Sequence, residues 1–207
     1  MILPVGRATS RATLARTLAA FLLLGVSARA QTNLLALHFS PANTVVAFTI
    51  GDSLHTIHGS FKLKSGDVEY DTRTGAIHGE LVVDATSGQS GSRIRDHRMQ
   101  RSILETERYP EIVFRPDRVD GKVATAGTSS VQVHGIFSIH GGDHELTLPA
   151  RVQISPEKWV VDLHFNIPYV KWGIKNPSTF LLRVSESVEM DVHATGGPPL
   201  ATATSSP

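Results

Sequence analysis

Apolar and polar residues alternate with a period of two through most of this chain, and no other feature limits its fold as strongly. The clearest run covers residues 146–154, where Leu, Leu, Ala, Val and Ile alternate with Thr, Pro, Arg and Gln. Similar alternation covers residues 46–50, 57–63, 77–84, 131–140, 159–167 and 188–192. Successive strand side chains point to opposite faces, so each segment has one apolar face and one polar face. This pattern predicts antiparallel strands, because strands of a buried parallel sheet are apolar on both faces.

Short clusters of turn-forming residues separate these segments, at residues 65–67, 71–75, 141–143 and 155–157. The sequence therefore predicts an all-β fold of about eight antiparallel strands. Such strands protect their edges either by closing into a barrel or by stacking as a sandwich, and the alternation does not distinguish the two.

The N-terminal segment has the organisation of a secretory signal peptide. Residues 1–30 carry Arg7, Arg11, Arg16 and Arg29 with no acidic residue, an apolar run over 18–26, and a small-residue cleavage site at 28–30. The apolar run is too short to span a membrane, which needs about 20 residues. We therefore expect an exported protein, periplasmic or secreted, whose mature chain starts at Gln31 and lacks a transmembrane segment. The predicted domains are this signal, a barrel domain over 31–195 and a disordered tail over 196–207.

Charge and cysteine content exclude several function classes. After residue 30, sixteen Lys and Arg stand against nineteen Asp and Glu, a net charge of −3. A slightly acidic chain lacks the basic surface that nucleic-acid binding requires. The chain has no cysteine, which excludes disulfides, Cys-ligated zinc and thiol catalysis.

The alternation fails over residues 92–108, which we interpret as one short helical segment ended by Pro110. Met99 and Ile103 are spaced to share one helix face, and Asp96 lies on the same stripe. A carboxylate on an apolar face needs a hydrogen-bond or charge partner.

A series of short motifs carries a family resemblance. They are the residues at 46–48 (Val-Ala-Phe), 59–61 (Gly-Ser-Phe), 95–99 (Arg-Asp-His-Arg-Met), 109–114 (Tyr-Pro-Glu-Ile-Val-Phe), 135–141 and 146–149. In this order and spacing, residues 35–194 resemble the YceI-like family of lipid- or polyisoprenoid-binding proteins. The resemblance implies an extended lipocalin-like barrel of eight strands that holds an isoprenoid chain in its cavity, often in the periplasm. The sequence departs from the family pattern at residues 103–106 and 169–180, which affects the identity of the ligand more than the fold.

The predicted ligand contacts come from the apolar strand faces, the 92–108 segment and the loop around Trp172. They are Phe48, Phe61, Leu81, Asp96, His97, Met99, Ile103, Phe114, Phe137, Phe165 and Trp172. A barrel of about eight strands is just wide enough to hold one slender ligand or to be filled by its own side chains. The arginines at 93, 95, 98 and 101 would either meet a phosphate head group or form a solvated helix face. Trp172, with Tyr169 and Phe180, would cap the barrel or form the lip of its cavity.

Two alternatives to lipid binding stay open at this point. One is a solid-core protein for envelope interaction or stress protection, and the other is a weak metal carrier. His140 and His144 are the closest histidine pair, but no third ligand can be named. The sequence contains none of the common nucleophile, phosphate-binding or dinucleotide motifs, so we expect no enzyme activity and no cofactor. A homodimer is left open.

Overall fold

The computed structural model describes residues 34–198 and 200–201, so the predicted signal peptide lies outside the described residues. In chain order the elements are β1 (Leu34–Phe39), β2 (Thr44–Gly51), β3 (Thr56–Asp71), β4 (Ile77–Gln89), α1 (Arg93–Arg98), a π-helical turn (Met99–Ile103), β5 (Glu111–Asp120), β6 (Gly127–Ile139), β7 (Gly142–Ile154), β8 (Trp159–Ile167), β9 (Val188–Gly196) and β10 (Leu200–Ala201).

Strands β2 to β9 close into an antiparallel barrel. Their order is β3-β2-β9-β8-β7-β6-β5-β4, and pairing of β3 with β4 completes the circle. The predicted all-β barrel of eight antiparallel strands is confirmed, and the sandwich is excluded. Since neighbouring strands are antiparallel, β2, β4, β6 and β8 all finish at the same end of the barrel. The segments that follow them therefore gather at this end.

Strand β1 lies outside the circle of eight but follows the same side of β3 as β2. Phe39 pairs with Gly66, and Val46 pairs with Phe61 further along. The two-residue strand β10 then pairs with β1. Leu200–Ala201 fall within the segment 196–207 that is predicted to be a disordered tail, and they pair with the edge of β1. Residues 202–207 lie outside the described residues.

Strand β3 corrects one prediction made from turn residues. The predicted turn at residues 65–67 lies inside this sixteen-residue strand. The β3–β4 register shifts between Leu63 and Ser65, which marks a bulge. A Cβ on Gly66 would lie 2.9 Å from the Cβ of Phe39. Gly66 therefore allows a close approach of β1 to the bulged strand and does not reverse the chain.

The helical segment is confirmed but is shorter than its predicted range of 92–108. It ends at Ile103, where the Leu104 amide donates to the Met99 carbonyl oxygen at 2.8 Å. Glu105 then takes a positive φ of 49°, which a helix cannot continue through. The chain turns over residues 104–109 and enters β5.

The interior of the barrel has two halves with different packing. One half is a solid core around Trp159, which is 3% exposed and stands 5.0 Å from the Phe39 ring. The second half contains Val46, Phe48 and Met190, with side chains from the π-helical turn and the β8–β9 loop packed beside them. The two halves meet in the middle of the strands, and the cavity lies in the second half.

Candidate ligand-binding site

The second half of the barrel encloses a cavity of about 560 Å³. This volume lies within the range of pockets that bind small organic ligands. The alternative of a solid interior therefore describes only the half around Trp159.

Eight of the eleven residues predicted to contact a ligand line this cavity. They are Phe48, Phe61, Leu81, Met99, Ile103, Phe114, Phe137 and Phe165. Their side chains come from six strands and the π-helical turn, so a ligand in the cavity would be surrounded on all sides. That these side chains touch a ligand stays a prediction.

The closed end of the cavity rests on the solid core. Leu63 and Leu148 line the cavity and are each only 2% exposed. Leu163 also lines the cavity while packing against the core around Trp159. These leucines separate the two halves and set the depth to which a ligand can enter.

Glycines make room for the aromatic wall. The rings of Phe48 and Phe61 lie 5.4 Å apart. A Cβ on Gly59 would lie 2.2 Å from Cζ of Phe48, and one on Gly88 would lie 2.6 Å from Cε1 of Phe61. Both rings therefore need a residue without a side chain behind them to keep their positions at the cavity wall.

The charged part of the lining lies at the end where β2 and β4 finish. Of the described residues that line the cavity, Asp52, Arg95 and Arg98 carry charge, and Ser90 and Ser92 lie beside them in sequence. Asp52 belongs to the β2–β3 turn, Ser90 and Ser92 belong to the β4–α1 junction, and Arg95 and Arg98 belong to α1. The cavity thus has long apolar walls and one polar end, an arrangement that complements the apolar tail and polar head group of an amphiphile.

Asp52 is held in its ionised form by the turn that it organises. Its Oδ1 accepts hydrogen bonds from the amides of Leu54 and His55, at 2.8 and 2.7 Å. These two amides hold the pKa of Asp52 below its usual range, and the charge of Arg95 adds to the effect. The polar end therefore contains a fixed carboxylate near the guanidinium group of Arg95, and Arg98 also lines the cavity.

Asp96 lies outside the cavity lining and instead holds α1 against the end of β4. Its Oδ1 accepts hydrogen bonds from the amide and the hydroxyl of Ser90, at 2.7 and 2.5 Å. Arg95 donates from Nε to the Ser90 hydroxyl at 2.7 Å and from Nη2 to the Ser90 carbonyl at 2.6 Å. The carboxylate on the apolar helix face thus finds its partner six residues earlier, and it positions Arg95 at the cavity mouth.

Replacing Asp96 by alanine is expected to destabilise this junction by about 1–3 kcal/mol, because the amide and hydroxyl of buried Ser90 lose their acceptor. Urea denaturation and hydrogen exchange at the Ser90 amide measure the effect. Asp96→Asn is the control, since its side-chain oxygen still accepts. Equal stability of Asp96→Ala and wild type would show that the junction does not depend on this carboxylate.

The two remaining predicted residues, His97 and Trp172, also lie outside the cavity lining. His97 is exposed on α1. Trp172 stacks on His144 with 4.2 Å between ring centroids and lies 5.8 Å from Phe137. It therefore supports the wall from behind.

The same loop contains Tyr169, whose hydroxyl donates to the Ser185 carbonyl at 2.7 Å, and burial raises the pKa of Tyr169 to about 12.

Sequence reasoning missed several aliphatic members of the lining. Ile167 continues the alternation that includes Phe165, and Val188 and Met190 belong to the alternating run over 188–192, so periodicity is a sufficient signal for all three. Ile174 and Leu182 come from the β8–β9 loop, where no periodic pattern marks a side chain as inward.

The histidine pair considered for metal binding has aromatic neighbours. His144 stacks on Trp172, and the ring of His140 lies 4.8 Å from that of Tyr109. Among residues 34–198 and 200–201, no group of three or more His, Asp or Glu is placed to hold a metal ion. Within the same residues, no helix has the length and hydrophobicity needed to cross a membrane.

Comparison with known proteins agrees with this architecture. BcnA of Burkholderia cenocepacia has the same fold, with a TM-score of 0.65, 16% identity, and coverage of 76% of this chain and 99% of the other. A polyisoprenoid-binding domain from Saccharophagus degradans, implicated in plant cell wall breakdown, has a TM-score of 0.60, 18% identity, and coverage of 80% and 99%. The YceI protein of Campylobacter jejuni has a TM-score of 0.58, 15% identity, and coverage of 69% and 85%.

None of the curated proteins matches this chain. The YceI-like domain family, in contrast, matches residues 37–196, which include the whole closed barrel. The chain belongs to the YceI-like family.

Proposed function

We propose that this protein is an exported carrier that holds an amphiphilic lipid of the isoprenoid class, with the tail in the barrel and the head group at the polar end. The observation that carries the proposal is the cavity of about 560 Å³, which is apolar along its walls and charged at one end. The related fold of the Saccharophagus degradans polyisoprenoid-binding domain supports the choice of ligand class.

Burial of the tail would supply most of the affinity. Each buried CH₂ group contributes about 0.8 kcal/mol, so a short isoprenoid chain binds tightly without specific polar contacts. The aromatic rings and branched side chains of the wall can make van der Waals contacts but no hydrogen bonds, which suits a branched hydrocarbon. Selectivity among lipids would then depend on tail length, which the leucines at the closed end limit, and on the head group.

The head group that fits the polar end is an anion such as a phosphate. Arg95 and Arg98 line this end, and guanidinium groups form strong paired hydrogen bonds with phosphate. The Nη2 of Arg98 donates to the Pro177 carbonyl at 3.2 Å, which holds this side chain beside the cavity. Asp52 lies near Arg95 and limits how far a negative head group descends.

We propose binding without chemical conversion of the ligand. The cations of the lining are arginines, which keep their protons at all physiological pH values. Asp52 is kept ionised by two backbone amides and is thus a poor proton donor. Export rests on the signal-like pattern of residues 1–30, which leads to the periplasm or to the medium.

The test is to express the full chain in a Gram-negative host, purify it without detergent, extract it with organic solvent and identify bound lipid by mass spectrometry. We expect an isoprenoid lipid in the extract, and an intact protein mass that begins at Gln31. The delipidated protein should then take up a fluorescent prenyl phosphate, while lysozyme serves as a protein that lacks such a cavity. An extract without lipid, together with no uptake of the probe, would contradict the proposal.

A further inference from the structure

Large apolar side chains surround the polar end of the cavity and are exposed to solvent. Leu54 is 73% exposed, Ile94 86%, Phe180 94% and Leu181 85%. Single exposed apolar residues are common, but four of this size in one region mark an interaction surface. We define the rim as residues 51–55, 92–104 and 174–184, which contain all four.

Two of the rim segments contain tight turns that present these side chains at their tips. The Thr179 amide donates to the Leu182 carbonyl at 2.8 Å, and the Leu182 amide donates to Oγ1 of Thr179 at 3.1 Å. This turn leaves Phe180 and Leu181 at its tip. In the β2–β3 turn, the Asp52 amide donates to the His55 carbonyl at 2.8 Å, and Leu54 lies at the tip.

Hydrogen bonds join the three segments into one structural unit. The Ser53 amide donates to the Arg183 carbonyl at 2.8 Å, and Asp52 and Val184 form an antiparallel bridge. Arg98 of α1 bonds to Pro177 of the same loop. Because the turns are held by their own hydrogen bonds, the apolar tips are part of the fold and do not need a conformational change to become exposed.

Charge is distributed unevenly between the rim and the rest of the barrel. The rim contains six Arg and Lys residues and two Asp residues. Residues 34–207 contain sixteen Lys and Arg and nineteen Asp and Glu, so ten basic and seventeen acidic residues remain outside the rim. Asp52 and Asp96, the acidic residues of the rim, are both engaged by hydrogen bonds. An anionic surface would therefore attract the rim and repel the remainder of the barrel.

We propose that the rim docks on a bilayer that contains anionic lipids. The tip residues would enter the head-group region, where apolar side chains are buried, and the rim cations would meet lipid phosphates. The charge asymmetry orients the barrel with its cavity mouth toward the bilayer, so that a lipid passes between the two without crossing water. Docking needs only the rim surface, and it goes beyond the proposed function because an empty barrel would also dock.

The experiment compares sedimentation of the purified mature protein with vesicles of phosphatidylcholine alone and of phosphatidylcholine mixed with phosphatidylglycerol. We expect preferential binding to the mixed vesicles, and weaker binding at high salt. The double variant F180S/L181S should bind about tenfold less, or weaker still, because two apolar side chains lose their burial. The matched control is Val45→Ser, since Val45 is 58% exposed on β2 and lies outside the rim.

Each outcome decides the proposal. Absence of wild-type binding to both vesicles, or equal binding of F180S/L181S and wild type, would overturn it. Sedimentation equilibrium that shows a wild-type dimer and a monomeric F180S/L181S, without vesicle binding, would instead assign the rim to a second copy of this chain. Uptake of a fluorescent prenyl phosphate supplied in solution tests the cavity separately. If the protein binds vesicles but takes up no probe, the carrier function would be contradicted and the docking proposal would stand.

Discussion

The variant Phe165→Asp is expected to bind a fluorescent prenyl phosphate with an affinity lower by about 100-fold or more, because a bound tail would remove the new carboxylate from water. Phe165 lies on β8, lines the cavity and is half-buried. Its strand partner on β9 is Met190, which also lines the cavity. The carboxylate would therefore stand among apolar lining residues, between Leu163 and Ile167 on the same face of β8.

Two controls separate the loss of the apolar surface from the addition of charge and from unfolding. Asn166→Asp adds the same charge one residue later, on the exposed outer face of β8, and should bind like wild type. Phe165→Leu keeps the wall apolar and should reduce affinity only slightly. Circular dichroism confirms that each variant is folded before titration. A folded Phe165→Asp protein that binds with wild-type affinity would show that the ligand does not occupy this cavity.

The alternation of side chains predicted which faces are apolar more reliably than where each strand ends. It identified Phe165 and Phe137 as inward because period two follows from strand geometry alone. It did not identify β5, whose pattern is interrupted at Pro116 and by a register shift before Arg118. Bulges change the period locally, so a residue pattern cannot reveal them without the partner strand.

The site required tertiary information that the sequence does not contain. The apolar helix face identifies Asp96 as an acid in need of a partner, but its partner, Ser90, is set by the path between β4 and α1. Proximity in sequence predicts that Phe180 forms one aromatic cluster with Tyr169 and Trp172 at the barrel end. The structure places Phe180 at an exposed turn tip and Tyr169 in the interior. Loop residues have no periodicity, so composition alone could not separate a buried ring from an exposed one.

The size of the cavity is also beyond sequence reasoning. A barrel of eight strands is compatible with a filled or a hollow interior. Here Trp159 and Phe39 fill one half, whereas the other half keeps about 560 Å³ free. Both halves have apolar residues in alternation, so the difference comes from the side chains that meet across the barrel.

This division predicts that stability and binding can be changed independently. Trp159→Ala is expected to lower the free energy of unfolding by about 3–5 kcal/mol, because it removes a large buried ring from the solid half. The ring packs on Gly196, where an added Cβ would lie 2.2 Å from the indole, so the neighbouring backbone has little freedom to close the space. Urea denaturation measures the loss, and Lys158→Ala, at an exposed neighbouring position, should change stability by less than about 0.5 kcal/mol.

The same variant should bind the prenyl phosphate probe with unchanged affinity under conditions where it is folded. Leu63 and Leu163 line the cavity and also pack with the core around Trp159, so the space left by the indole would not join the site. A Trp159→Ala protein that is as stable as wild type would show that the solid half contributes little to folding. Binding that falls to the level of Phe165→Asp would show that the leucines do not isolate the cavity and that the whole interior responds as one unit.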